Sequence, residues 1–198
     1  TIYMKKIFKS KIFIAVIILL VLGGGVGAYF FVFKDKKTAS TTVETKEMKV
    51  DSLLGYIGSE GSYSKFNTLL GMFDSAKYLT KNTDGLEPSL LIFAPNNDAF
   101  SKDDMKPYDA LSSAAKEQIK LYHLAKIYPS SASSQANLEL SDGKKVTTLA
   151  GKELTIKKSD SVFYVLDGKG RQANISVKYA VTSKGDRIYF VDSVLLFQ

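Results

Sequence analysis

Hydrophobic and polar positions divide the chain into a short apolar segment and a longer mixed one. From Ile12 to Phe33 no residue is charged. In a helix this run would extend over roughly 33 Å, enough to cross a hydrocarbon core of about 30 Å. Residues 34–48 are rich in Thr, Ser, Lys and Glu and show no core pattern. The pattern therefore predicts a transmembrane helix over residues 12–33, in contact with membrane lipid, and a solvated stalk over residues 34–48.

Lysines on the two sides of the apolar run predict its orientation. Lys5, Lys6, Lys9 and Lys11 precede the run, and Lys34, Lys36 and Lys37 follow it. Because the more basic flank stays in the cytoplasm, we expect residues 1–11 to form a cytoplasmic tail and residues 49–198 to form an extracellular domain. A second interpretation stays open, in which a signal peptide is cleaved near Ala28 and the protein is secreted.

The pattern of residues 49–198 changes from helical to β-rich along the chain. Apolar residues recur at helical spacing over residues 66–81 and 113–124, and a shorter helix is predicted over residues 50–57. The apolar run of residues 90–93 predicts a short strand. Five further β-rich runs, separated by turn signals, cover residues 145–149, 153–157, 162–166, 174–181 and 187–196. Helices followed by antiparallel strands predict an α+β domain with helices packed on a sheet.

Three segments of this domain resemble signatures of the fasciclin domain family. LLIFAPNNDAF at residues 90–100 resembles the first signature, the pair Tyr122 and His123 resembles the family's Tyr-His pair, and DRIYFVDSVLL at residues 186–196 resembles the closing strand. The resemblance implies a fasciclin-like fold, a wedge-shaped β-sandwich with several helices, and a role in cell adhesion or matrix contact outside the cell. The acidic, integrin-contacting peptide of animal members is not recognisable, so integrin binding is not expected.

Composition and charge exclude several kinds of site. The chain has no cysteine, which excludes disulfides, thiolate zinc sites and a cysteine nucleophile, and a single histidine excludes any site that needs two. The net charge of +7 divides into +5 for residues 1–48 (8 basic, 3 acidic) and +2 for residues 49–198 (19 basic, 17 acidic). Because the positive charge lies mostly beside the apolar run, we expect no nucleic-acid partner.

Tyr122, His123 and Asp192 are the candidate binding residues, because the first two match the family's Tyr-His pair and the third matches the aspartate of its closing strand. A structural role competes with this interpretation for His123 and Asp192, since buried polar side chains commonly hydrogen bond to backbone groups. One histidine without a G-x-S-x-G motif gives no support for a Ser-His-Asp site. We therefore expect no catalytic residue and no enzymatic activity.

Polar residues after the first apolar strand have ordinary structural interpretations. Asn96, Asn97 and Asp98 are expected to cap the helical turn that follows them. Asp98, Asp103 and Asp104 lack the alternating ligands and the glycine of a calcium loop. The sequence therefore predicts neither a metal site nor a cofactor.

Two functions of different classes remain. The first is a membrane-anchored surface protein whose fasciclin-like domain mediates adhesion by non-covalent binding to a surface protein or a polysaccharide. The alternative is a binding module at the cell envelope for a small apolar or glycan ligand, which requires a partly open, apolar pocket of ligand size. The 23 aromatic residues, 11 Tyr and 12 Phe, make such a pocket possible.

Overall fold

The computed structural model describes residues 46–197 except residues 72, 103, 104, 106 and 107. The helices of this part are α1 (Leu53–Ser59), α2 (Ser64–Leu70), α3 (Ser75–Tyr78) and α4 (Ser113–Tyr122), and 3₁₀ turns cover Gly61–Tyr63, Asn97–Ser101 and Tyr108–Ala110. Side-chain oxygens of Ser52, Asp74 and Ser112 accept hydrogen bonds from N–H groups in the first turns of α1, α3 and α4. These caps explain where the three helices begin.

The prediction of a single helix over residues 66–81 is wrong, because the chain turns at Gly71. Gly71 has a φ of 52°, in the left-handed region that favours glycine, and its N–H donates to the Asn67 carbonyl at 3.1 Å. Helix α2 therefore ends at Leu70, and α3 begins separately at Ser75. The helices predicted over residues 50–57 and 113–124 are present, with ends shifted by up to three residues.

A mixed sheet of eight strands forms the rest of the described fold. The strands are β1 (Lys46–Lys49), β2 (Ser89–Pro95), β3 (Leu124–Ile127), β4 (Lys145–Thr147), β5 (Glu153–Ser159), β6 (Val162–Leu166), β7 (Gln172–Val181) and β8 (Arg187–Val191). Their order is β3-β2-β8-β7-β6-β5-β4, and β1 pairs with β7. The antiparallel prediction holds for the hairpins, but β1 runs parallel to β7 and β8 runs parallel to β2. The last strand, β8, lies in the middle of the sheet between β2 and β7, and it runs antiparallel to β7.

Strand β7 joins two parts of the sheet. Its beginning pairs with β6, where Asn174 lies opposite Tyr164, and its end pairs with β8, where Tyr179 lies opposite Tyr189. The register shifts between Ile175 and Tyr179. Such an irregularity typically bends and twists a strand, and the residues before and after it pair with different neighbours.

Two apolar clusters lie on opposite faces of β2. Leu90, Ile92 and Ala94 belong to the cluster that includes the helices, whereas Leu91 and Phe93 belong to the cluster that includes β4, β5 and β6. Strand β8 alternates in the same way. Because β2 is buried on both faces, its sequence is a continuous apolar run without polar alternation.

Two strands were not predicted. Strand β1 begins inside the segment predicted as a stalk, and β3 begins at Leu124, which was predicted as the last residue of a helix. Residues 1–45, which include the predicted cytoplasmic tail and membrane helix and most of the stalk, lie outside the described residues. Within the described part of the chain, no helix has the length and hydropathy that a membrane span requires.

Candidate functional site

His123 lies at the point where α4 ends and β3 begins, and both of its ring nitrogens are hydrogen bonded. Nδ1 donates to the Ile119 carbonyl at 2.8 Å, and Nε2 accepts from the Leu195 N–H at 2.9 Å. The ring is fully buried and packs against Phe66, with 5.5 Å between the ring centroids. Burial lowers the pKa of His123 to about 4, although the bond to Ile119 acts in the opposite direction. The imidazole is therefore neutral at physiological pH.

Tyr122 precedes His123 and is also fully buried. Its hydroxyl accepts from the Gly168 N–H at 2.7 Å and donates to the Glu153 carbonyl at 3.3 Å. Its ring and the ring of Phe197 pack in a T-shaped arrangement, with 5.4 Å between the ring centroids. Burial raises the pKa of Tyr122, and the bond from Gly168 partly offsets this rise. The Tyr-His pair thus joins the end of α4 to the β6–β7 hairpin and to the C-terminal segment.

Asp192 follows β8 and is partly exposed. Its carboxylate accepts from the N–H and the side-chain amide of Asn174, both at 2.8 Å, and from the Ser193 hydroxyl at 3.1 Å. No hydrogen bond between described residues joins Asp192 to Tyr122 or His123. The structure therefore brings two of the three candidate residues together and places the third at a separate position. Their role in binding stays a prediction.

A buried ion pair that the sequence did not indicate lies beside Tyr122. Asp167 accepts from the N–H groups of Lys169, Arg171 and Leu196 at 2.9–3.0 Å, and the Arg171 guanidinium reaches the same carboxylate at 2.7 Å. Arg171 also donates to the Val194 carbonyl. Burial lowers the pKa of Arg171. The pair holds the β6–β7 hairpin against the C-terminal segment. The only sequence signal for this ion pair is the basic residue Arg171, four positions after the aspartate of an Asp-Gly turn.

An apolar pocket of about 500 Å³ opens between the 3₁₀ turn at Tyr108–Ala110, helix α4 and the C-terminal segment. Its described lining is mostly hydrophobic and includes Ala115, Ile119 and Phe197, and Lys169 is the one charged residue among the described residues that line it. The volume lies in the range of pockets that hold small molecules. This is the type of pocket that the second function requires.

A second cleft lies beside the register shift of β7 and is lined by residues of β6, β7 and β8. Arg187 and Tyr189 project from the same face of β8, and the Arg187 guanidinium lies 4.9 Å from the centre of the Tyr179 ring. Arg187 Nη1 donates to the Tyr189 hydroxyl at 2.9 Å, and that hydroxyl donates to the Leu138 carbonyl at 3.0 Å. Burial raises the pKa of Tyr189, and Arg187 partly offsets this effect. Arg187 and Tyr189 are two positions apart in a predicted strand, so the sequence indicated that they share one face of the sheet. This spacing was the only sequence signal for the cleft.

The three signature segments are neighbours in space around His123. Strand β2 of the first signature pairs with β8 of the closing signature, with Ile92 opposite Ile188. The His123 carbonyl accepts from the Phe93 N–H at 2.9 Å, and its ring accepts from the Leu195 N–H. Segments that are distant in the sequence therefore form one hydrogen-bonded unit in the centre of the domain.

Comparisons with known proteins show the family of the chain. A model of the fasciclin domain matches residues 61–197. Among solved structures, the chain is similar to a FAS1 domain pair from the insect cell adhesion molecule fasciclin I, with 18% sequence identity and a TM-score of 0.39. That match covers 68% of this chain and 45% of the other, so the chain spans less than half of the domain pair. No curated protein matches the chain by sequence. Because the family model covers more than half of the chain, the protein belongs to the fasciclin domain family.

Proposed function

We propose that the fasciclin domain mediates adhesion or surface contact by non-covalent binding, and that residues 12–33 hold it at the membrane with the domain outside the cell. The observation that carries the proposal is the family match over residues 61–197. The state of His123 supports binding over turnover. Both of its nitrogens are engaged and its ring is buried, so it is not available as a general base. The partner is a surface protein or a polysaccharide.

Protease treatment of intact cells tests the location of the domain. Cells that express the full chain are treated with a protease before and after permeabilisation, and the domain is detected with a C-terminal tag. We expect the tag to be removed from intact cells while the cells retain a membrane-bound fragment of residues 1–45. Protection of the tag until permeabilisation would contradict the proposed orientation. Release of the uncleaved domain into the medium would favour the signal-peptide alternative.

A binding assay tests adhesion separately from location. Cells expressing the full chain and cells expressing only residues 1–48 are compared for attachment to other cells, to matrix proteins and to cell-wall polysaccharides. We expect saturable attachment to at least one of these surfaces that depends on the domain, at both low and physiological salt. Equal attachment of the two cell types to every surface would contradict an adhesive function.

The apolar pocket beside α4 favours a second candidate function, the binding of a small apolar ligand. We expect Ala115→Leu, which adds a larger side chain to the lining, to weaken binding of an apolar fluorescent dye by at least about tenfold. Ala76→Leu is the matched control, because Ala76 lies exposed on α3 and is not among the residues that line this pocket. A dye that binds the wild-type protein and both variants equally would exclude this pocket as its site.

A further inference from the structure

Arg187 contains a buried polar atom without a partner. Its Nη1 atom is hydrogen bonded to Tyr189, whereas its Nε atom is buried and has no hydrogen-bond partner among the described residues. A buried donor of a charged group that lacks an acceptor destabilises the folded state. Folded proteins rarely leave such groups unsatisfied. The enclosed Nε atom is not open to a ligand, so an acceptor would reach the guanidinium through its Nη atoms, on the side where Arg187 lines a cavity.

The charges around Arg187 favour an anion as this acceptor. No carboxylate of the described residues forms an ion pair with Arg187. Glu139 lines the same cavity, and its backbone carbonyl accepts from Lys144. Burial, and secondarily the positive charge of Arg187, lowers the pKa of Lys144. Lys158 lines the adjoining cavity. Arg187 and Lys158 are thus the two cations, and Glu139 the one carboxylate, among the described residues that line the two cavities.

The shape of the cleft indicates the rest of the ligand. Arg187 lines a cavity of about 280 Å³, and an adjoining cavity of about 120 Å³ shares Phe163, Tyr179 and Tyr189 as walls. The smaller cavity extends to Val162 and Val177, which are 45% and 41% exposed and are the exposed large hydrophobic residues of the described part of the chain. The cleft therefore has Arg187 and Glu139 at one end, and the other end is lined mainly by hydrophobic and aromatic residues, with Lys158, Ser161 and Ser176 as its polar residues.

We propose that this cleft binds a small amphipathic carboxylate, a ligand whose carboxylate pairs with Arg187 and whose apolar body lies along Phe163, Val162 and Val177. A planar carboxylate matches the fork of donors that a guanidinium presents. An acidic sugar would pair with Arg187 in the same way, but seven of the ten described residues that line the smaller cavity are hydrophobic or aromatic, which favours an apolar body over a sugar ring. The cleft is separate from the apolar pocket beside α4, because the two share no lining residue.

Ligand-observed NMR titration with 3-phenylpropionate tests this proposal. The full chain is placed in lipid nanodiscs, with empty nanodiscs as the blank. 3-Phenylpropanamide has the same apolar body without the charge, and glucuronate has the charge without the apolar body. We expect 3-phenylpropionate to bind at least about tenfold more tightly than either of these compounds, since one charge-assisted pair and one apolar contact each contribute a factor of this order.

Variants locate the binding. Arg187→Gln is expected to weaken 3-phenylpropionate binding by at least about tenfold, and Arg187→Lys by less, because lysine keeps the charge but loses the fork. Val177→Asp changes an exposed position and should weaken binding through repulsion even if Arg187→Gln fails to fold. Ala115→Leu, which alters the other pocket, should leave binding unchanged.

Three results would overturn the proposal. The first is the absence of 3-phenylpropionate binding to the wild-type chain. The second is loss of binding in Ala115→Leu with retention in Val177→Asp, which would place the ligand in the pocket beside α4. The third is tighter binding of glucuronate than of 3-phenylpropionate, which would assign the cleft to acidic sugars. None of these results bears on cell attachment, so the adhesive function is tested independently.

Discussion

His123 is neutral in the folded protein because it is fully buried and its Nε2 atom already accepts a hydrogen bond. Its pKa falls from 6.5 to about 4 on folding. Between these values the unfolded chain binds more protons than the folded chain, so the stabilisation present above pH 6.5 is lost as the pH falls. We expect His123 to account for a decrease of about 3 kcal/mol in the free energy of unfolding between pH 7 and pH 4.

Urea denaturation of the wild type and of His123→Gln at several pH values measures this contribution. Glutamine retains an acceptor for the Leu195 N–H but does not titrate. Because the chain contains one histidine, the difference between the two proteins removes the contribution of the carboxylates. We expect the wild type to lose its advantage over the variant as the pH approaches 4. A difference that stays constant with pH would show that burial does not shift this pKa.

Asp167 is a second residue whose replacement should lower the stability of the fold, because its carboxylate accepts several hydrogen bonds. Asp167→Asn would place an amide N–H₂ where Arg171 and Leu196 now donate to a carboxylate oxygen. We expect a decrease of about 3 kcal/mol in the free energy of unfolding, as for other broken buried ion pairs. The matched control is Glu153→Gln, which removes the exposed pair with Lys145 and should change stability by less than about 1 kcal/mol. Equal effects in thermal denaturation would contradict the assignment.

The structural role of His123 could be predicted from the sequence, whereas that of Asp167 could not. A lone histidine after an amphipathic helix already indicated a side chain bonded to backbone groups, and both bonds are present. Asp167 stands in an Asp-Gly turn signal, which has the same form whether the carboxylate is exposed or buried. The donor that completes its site, the Leu196 N–H, lies 29 residues away in the sequence. Only the fold brings that group to the turn.

At the scale of elements, Asn97 connects the first signature to helix α2. Its side-chain oxygen accepts from the Lys65 N–H at 3.0 Å, and its side-chain nitrogen donates to the Gly61 carbonyl at 2.8 Å. Asn97 therefore provides an acceptor for an N–H group in the first turn of α2. The N-cap residue of this helix, Tyr63, makes no side-chain hydrogen bond of its own. We expect Asn97→Ala to lower the free energy of unfolding by about 1–2 kcal/mol in urea denaturation.

Asp98→Ala is the control for this prediction, because Asp98 lies next to Asn97 but is exposed. Its replacement should change stability by no more than about 0.5 kcal/mol. If both replacements have the same small effect, the bonds of Asn97 do not hold α2 in place. The sequence correctly predicted capping by Asn96, which accepts from the Ala99 N–H. It did not predict that Asn97 caps a helix more than thirty residues earlier.

The elements that sequence reasoning missed were determined by contacts that are distant in the chain. The helical spacing of residues 66–81 continues across Gly71, and periodicity cannot show that this glycine takes a positive φ. Strand β3 has four residues, and its pairing with β2 rather than its own pattern makes it a strand. The runs near β5, β6 and β7 were predicted because hairpin neighbours are close in sequence and separated by clear turns.

At the scale of the whole molecule, the boundary between the predicted stalk and the domain lies earlier than the sequence indicated. Residues 46–49 pair with the end of β7 through main-chain bonds, and the Tyr179 hydroxyl donates to the Glu47 carboxylate at 3.0 Å. Met48 packs against the cluster between sheet and helices. The domain therefore begins with a strand of its sheet. This strand was not predicted because three of its four residues, KEMK, are charged.

Removal of β1 should consequently destabilise the whole domain. We expect a fragment that begins at Val50 to have a free energy of unfolding about 2 kcal/mol lower than one that begins at Lys46, because Met48 and the backbone pairing are both lost. Urea denaturation of the two fragments measures the difference. Met48→Ala in the longer fragment separates the apolar contact from strand pairing and should give about half of the effect. Equal stability of the two fragments would show that β1 is an accessory strand, and that the domain begins at α1.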